Sequence, residues 1–401
     1  MYKPLPLESL ALNQPVPVNI WDPKGVLLLR KGEHITSEQH RGLLMLHTPM
    51  VLAADWQAWS YSYTEALDRM VRGNESLSRI AALDAMVPVH SKPEASDELA
   101  ATEAWADTHA ALNTLLHQGA DASHFIERLE RLTALTDKLW REHPDDSLLI
   151  LVQLLFDPGM HYSATHALLT AGLCTLVGPS AGTAAGDQLA LVRAALTMNI
   201  GMTRAHDDMA RQAGPLSDAQ RKTVREHPQR SAAVMRQLGV ADAAWLQLVE
   251  DHHERPDGQG YPAGKPVNST AHHLLQMADV YVASISPRKS RGGLLSQQVA
   301  RELYLGPDLT PDPLGALFIK NIGFYPPGSY VRLASGEVAV VARRGAKANA
   351  PTVLAIVGRQ GLPLGEPTLR DTNDPAFEVK ASLAPGDVKV LVGVGKLLAR
   401  L

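Results

Sequence analysis

At 401 residues the chain is longer than one ordinary compact domain, so two or three folded units are expected. Its hydrophobic fraction of 45% and charged fraction of 20% exclude a disordered chain, and a formal charge of -4 argues against a general nucleic-acid binder. The single cysteine, Cys174, excludes an internal disulfide, and no apolar run reaches the roughly 18 residues of a membrane span. Pro4, Pro6 and Glu8 follow Lys3 too closely for a signal peptide, so a cytoplasmic protein with no membrane insertion is expected.

Residues 1–60 read as a small β-rich module. Val16–Trp21 and Val26–Leu29 flank the turn signal Asp22-Pro23-Lys24-Gly25, which predicts a hairpin. Thr36-Ser37-Glu38-Gln39 then has the pattern of a helix start, followed by Leu43, Leu44 and Leu46. Residues 61–146 read as a helical connector, with apolar spacing at Leu67, Met70 and Val71, a break at Val87–Pro93, and a second face at Phe125, Leu129, Leu132 and Leu135.

Helix follows helix through 147–308, where the runs from Leu148 to Phe156 and from Leu189 to Leu196 are apolar enough to be buried. Beyond that, 309–401 reads as a small C-terminal β domain. Tyr330–Leu333 and Val338–Val341 form a hairpin about Ser335-Gly336, and further strands are expected at Val353–Val357 and Val388–Val392. The fold class is mainly α: a helical bundle flanked by small β-rich modules.

The chemistry-bearing residues fall in the helical region. His166, His227, His252, His253 and Asp279 are imidazole and carboxylate groups of the kind that hold Fe, Mn, Zn or Ni. Asp279 lies in an otherwise apolar helix, where a carboxylate must be hydrogen-bonded, paired or ligating. His252-His253-Glu254-Arg255-Pro256-Asp257-Gly258-Gln259-Gly260-Tyr261-Pro262 sets two imidazoles before a glycine-rich loop. Its glycines permit backbone angles closed to other residues, and Pro262 holds Tyr261 extended.

This segment, from about residue 155 to 300, resembles the HD-GYP family, a branch of the HD-domain metal-dependent phosphohydrolases that hydrolyse cyclic di-GMP. The resemblance implies an HD-type helical bundle. It also implies metal ligands at His166, at His227 of His227-Pro228, at the His252–His253 pair and at Asp279. The family's His-Asp-Ile-Gly-Lys falls on Met198-Asn199-Ile200-Gly201-Met202, so the doublet and the lysine are replaced at Met198, Asn199 and Met202. Tyr162 stands where a subset of the family has a glutamate. Asn offers a neutral amide oxygen and Met a weak thioether, so neither restores a bridge between two cations. His206-Asp207 lies eight residues too late to replace the doublet and reads as a solvated loop or helix start.

Arg288 and Arg291 align with an arginine-containing segment implied to contact substrate phosphate, and the adjacent Lys289 adds charge. Gly260, Tyr261 and Pro262 are expected at the ligand-binding rim, or docking a diguanylate cyclase (GGDEF) partner. The expected function is a degenerate signalling protein that binds cyclic di-GMP or a partner with little or no hydrolysis, with one divalent metal or none, and able to form a homodimer. The alternatives are a phosphodiesterase with an atypical or mononuclear centre, and an interaction domain without ligand.

Overall fold

The computed structural model describes residues 2–5, 12, 13, 15–23, 26–53, 55, 56, 59, 63, 66, 70, 101–157, 161–289, 292–305 and 310–401. The expected features at Leu67, at Val71 and at Val87–Pro93, and the expected phosphate contact Arg291, lie outside the described residues. The chain divides into two compact units, Met1–Glu98 and Leu99–Leu401.

In the first unit, β1 (Tyr2–Pro4), β2 (Ile20–Trp21), β3 (Leu27–Leu29) and β4 (Met50–Leu52) form an antiparallel sheet in the order β1-β4-β2-β3. The expected hairpin is β2–β3, with Ile20 opposite Leu29; Asp22 Oδ1 accepts from the Val26 N–H at 2.7 Å and closes the turn. Helix α1 (Glu38–Met45) starts at Ser37, whose side chain accepts from the His40 N–H. Val16, Val18, Ile20, Ile35 and Val51 form the core of this unit.

The second unit is built on α2 (Ala101–Gln118), α3 (Phe125–Glu142), α4 (Pro144–Leu155), α5 (Tyr162–Val177), α6 (Ala185–Thr197) and α7 (Thr203–Arg211). It continues with α8 (Asp218–Gln237), α9 (Ala243–Asp251), α10 (Thr270–Ile285), α11 (Ser296–Leu305) and α12 (Pro313–Ile322). One hydrophobic cluster runs through all of these except α7, from Trp105 and Leu112 through Leu168 and Leu191 to Phe318. The segment read from sequence as a connector thus contributes α2 and α3 to the main core. Likewise α12, inside the expected β domain, buries Phe318 and Ile322 in the same cluster. The reason is shared apolar faces: Trp105 packs edge-on against Trp140 at 5.4 Å, tying α2 to α3.

Five antiparallel strands follow, β5 (Tyr330–Leu333), β6 (Val338–Arg343), β7 (Thr352–Val357), β8 (Pro363–Asp371) and β9 (Val379–Leu383), in the order β8-β7-β6-β5-β9. The β5–β6 hairpin pairs Tyr330 with Val340, as the alternation predicts. One face buries Tyr330, Leu354 and Ile356 with Leu149 of α4, and the other buries Val331, Leu333 and Val341. The strand expected at Val388–Val392 is not formed. β9 takes the outer side of β5, and Val388 packs on the sheet face with Tyr330 and Leu354 instead. No helix among the described residues is long and apolar enough to cross a membrane.

Candidate metal centre and ligand cavity

The site is assembled by helix ends. Helix α8 begins with a reciprocal cap between Ser217 and Gln220 and carries His227-Pro228 in its middle. Proline has no N–H, so Pro228 cannot bond the Val224 carbonyl as a helix interior requires. The His227 ring takes that freed acceptor, with Nδ1 2.6 Å from Val224 O. At the end of α9, where the last carbonyls have no helical donors, His252 Nδ1 lies 2.7 Å from Val249 O.

These two bonds set the chemistry. Each Nδ1 faces a carbonyl and must carry a proton, so each Nε2 presents a lone pair. The two Nε2 atoms face each other at 2.9 Å. Burial, then the neighbouring histidines, holds His227 down to about pKa 3 and His252 well below the ordinary imidazole range. Two neutral acceptors pointed at one another repel unless a cation lies between or beside them. His253 completes the group: the ligand atoms of His227, His252 and His253 all lie within 4.8 Å of one another. Burial also lowers the pKa of His253.

Asp279 of α10 faces this group, with Oδ2 3.9 Å from His253 Nδ1. Its other oxygen, Oδ1, is 2.7 Å from Nε2 of His166 on α5. Burial opposes the charge of Asp279, but the His166 hydrogen bond and the surrounding imidazoles hold it well below the usual carboxylate range. All five residues expected as ligands are therefore brought to one place, in two connected parts: three converging imidazoles, and the His166–Asp279 pair beside them.

The Met198–Met202 segment, expected from the resemblance to be a replaced doublet, packs against the helix bearing His227. Met198 caps α6, fully buried in the hydrophobic cluster; Asn199 and Met202 are buried as well. Gly201 permits the turn at 200–202 to touch α8, since a Cβ there would lie 2.6 Å from the Ser231 nitrogen. Its N–H donates to Ser231 Oγ at 3.0 Å, which fixes the turn against the helix bearing His227.

Sequence reasoning missed two residues. The first is His206, expected in a solvated stretch but buried on α7. Its ring packs edge-on against Tyr162 at 4.7 Å and His166 at 5.4 Å, and its Nδ1 is buried without a hydrogen-bond partner. Burial, then the proximity of His166 and Arg288, keeps it neutral. Asp207 is buried too. The signal was the spacing of Thr203, His206 and Asp207, which share one face of an otherwise polar helix.

The second is Glu254, fully buried in the 252–262 loop. Its carboxylate accepts from the backbone N–H groups of Ala263 (2.6 Å), Gly264 (3.1 Å) and Lys265 (3.1 Å). Gly260 passes so close that a Cβ would lie 2.5 Å from both Glu254 Cα and His253 O. The Tyr261-Pro262 bond is cis. The loop lays the Tyr261 ring on His253, 4.5 Å between centroids and 24° from parallel. The Gly260–Pro262 triplet thus braces a member of the histidine group, and none of its residues lines the cavity described next.

A cavity of about 620 Å³ opens beside the first turn of α5, lined by His161, Tyr162, Asp207, Arg211, Arg288 and Lys289 together with apolar residues of α4. Arg288 donates from Nη2 to Tyr162 Oη at 3.0 Å, lies over the same ring, and keeps a buried Nε without a partner. Tyr162 Oη is in turn 3.3 Å from His166 Nδ1. A hydrogen-bonded path therefore leads from the cavity wall through Tyr162 and His166 to Asp279.

Residues 153–303 match the HD domain family model. The chain is 30% identical over 233 residues to a cyclic di-GMP phosphodiesterase of Pseudomonas aeruginosa, covering 56% of this chain and 53% of that protein. It is 24% identical over 155 residues to 3'3'-cGAMP-specific phosphodiesterase 1 of Vibrio cholerae, covering 38% and 36% respectively. The chain thus spans about half or less of the length of these curated relatives. Among solved structures, Bd1817, a HDG"Y"P protein from Bdellovibrio bacteriovorus, matches with a TM-score of 0.44 at 13% identity, covering 79% of this chain and 97% of that one. Residues 153–303 thus match an HD domain, and the Gly260-Tyr261-Pro262 loop that braces its histidine pair makes this region similar to the HD-GYP family.

Proposed function

We propose that this is a degenerate signalling member of the family that binds a cyclic dinucleotide such as cyclic di-GMP and hydrolyses it little or not at all. The observation that carries the reading is Met198, buried in the apolar core where the family pattern has a metal-ligating histidine. Asn199 beside it supplies no carboxylate to bridge two cations. The retained groups fit one divalent metal, held by His227, His252 and His253 with Asp279 adjacent. Such a metal, when bound, supplies a Lewis acid for phosphodiester oxygens. On the cavity side, Arg288, Lys289 and Arg211 supply the positive charge for a dinucleotide's phosphates. The cytoplasm, where cyclic dinucleotides are made, is the compartment this reading expects.

The test is calorimetric binding of cyclic di-GMP by the full chain, with product analysis on the same sample under anaerobic Fe(II) and Mn(II). Saturable binding without product growth is the expected result. Sustained turnover proportional to protein would overturn the degenerate reading, and absence of binding would overturn the receptor reading.

A further inference from the structure

A second set of potential ligands lies outside the histidine group described above and shares no residue with it. We propose that His117 of α2, His161 at the start of α5 and Asp207 of α7 form a separate divalent-cation site on the wall of the ligand cavity. Their ligand atoms all lie within 4.8 Å of one another. His117 Nε2 is 2.8 Å from Asp207 Oδ2, and His161 Nδ1 is 3.7 Å from the same oxygen. The two rings meet edge to face at 5.7 Å. Bonds of about 2.0–2.2 Å from a first-row metal bridge such a spacing with small rotations of the two rings.

The surroundings prepare the carboxylate for this role. Asp207 is 3% exposed, and its Oδ1 accepts from the Ser163 N–H at 2.7 Å, which fixes the group and leaves Oδ2 aimed at the two imidazoles. Ser163 is itself held by its hydroxyl, which donates to Thr203 O at 3.0 Å. The His161 backbone carbonyl lies 3.3 Å from His109 Nε2, which ties the start of α5 to α2. A ligand oriented by a hydrogen bond through its second polar atom is the usual support of a metal site.

The histidines, in contrast, remain accessible, with side chains 27% and 51% exposed for His117 and His161. His161 and Asp207 both line the cavity, so coordination positions remain open on that side. Two imidazoles, one carboxylate and open positions suit Zn, Fe(II), Mn or Ni, and the open positions would take water or an anionic oxygen. The cavity's arginines and Lys289 make a phosphate oxygen the fitting exogenous ligand.

The experiment is a count of Zn(II) and, separately, Mn(II) retained after equilibrium dialysis of the full chain, without any nucleotide. The variants are the wild type, His161→Ala, the double variant His117→Ala with His161→Ala, and His252→Ala. The double variant is expected to lose one equivalent that His252→Ala keeps, and His161→Ala to weaken that equivalent at least tenfold. Co(II) loading provides a second readout, in which the visible absorption assigned to this site disappears in the double variant alone. If His161→Ala and the double variant, both folded by circular dichroism, retain metal as the wild type does, the site does not exist and the cluster is a hydrogen-bonded pair with a neighbour. Because no nucleotide is present, failure here leaves cyclic-dinucleotide binding untouched, and failure of that binding leaves the metal count intact.

Discussion

His206 and Asp207 are neighbours on one helix, yet their side chains serve different clusters. His206 packs against Tyr162 and His166 on the side of the histidine group, while Asp207 turns to His117 and His161. Helix α7 therefore separates two polar clusters by a single residue step, about 100° of helical rotation. The relationship makes α7 a structural part of the site, although its sequence is dominated by charge.

Restoring the doublet tests the degenerate reading directly. The double substitution Met198→His with Asn199→Asp is expected to add one bound metal near His227 and to raise cyclic di-GMP hydrolysis above the wild-type level. It is also expected to lower stability by about 1–3 kcal/mol, because Met198 is fully buried among apolar side chains. Metal analysis, product chromatography and urea denaturation read the three effects.

Replacement of Glu254 by alanine leaves three backbone donors of the 263–265 turn without their acceptor. A loss of about 2–4 kcal/mol is expected, with Glu254→Gln intermediate because one oxygen remains. Denaturation midpoints provide the measure, and equal midpoints for all three proteins would show that water replaces the carboxylate freely.

The two glycines of the loop differ in kind. Gly258 has φ of +69°, and a Cβ there would meet only ordinary van der Waals contacts, the nearest Gly264 O at 3.4 Å, so alanine there costs about 1 kcal/mol of backbone strain. Gly260 has backbone 2.5 Å from its missing Cβ, and alanine must push His253 and Glu254 apart. Gly260→Ala is therefore expected to cost about 2 kcal/mol or more and to weaken metal binding at His253, which Gly258→Ala leaves alone. Reversal of that order would refute the bracing role of the loop.

Metal-free protein should lose stability in mild acid. His227, His252 and His253 are buried neutral, with depressed affinity for protons, whereas in the unfolded chain imidazole titrates near about 6.5. Below that value the unfolded state binds more protons than the native one. Stability is then complete above about pH 6.5 and falls as pH drops toward about 3, the native value for His227. Each group contributes up to about 1.4 kcal/mol per pH unit across its window. Urea titrations of chelator-treated protein at several pH values measure the slope, and a flat profile from pH 7 to 5 would show that these imidazoles are solvated.

Arg288→Lys is not conservative here. Lysine loses the guanidinium plane that lies over Tyr162 and the fork suited to phosphate. Cyclic di-GMP affinity is expected to fall at least tenfold for Arg288→Lys and further for Arg288→Ala, measured by calorimetry at fixed salt. Unchanged affinity in both would remove Arg288 from the ligand site.

Much of the molecule was legible in the chain because local chemistry decides it. The β2–β3 pairing, the Ser335-Gly336 turn, the Ser37 helix start and the burial of α4 and α6 follow from residue type and spacing. The ligand candidates His166, His227, His252, His253 and Asp279 were visible as a residue set. The tautomers of His227 and His252 follow from position, since Pro228 frees one carbonyl and the end of α9 frees another. The tertiary structure decided what depends on packing between distant segments. It incorporated α2 and α3 into the main core, paired the β5 edge with β9, and buried His206 and Asp207 of α7 in two different polar clusters. It also joined His117 to Asp207 across 90 residues of sequence. Periodicity reports which face of an element is apolar, but which polar groups meet across that face is fixed only when the helices dock.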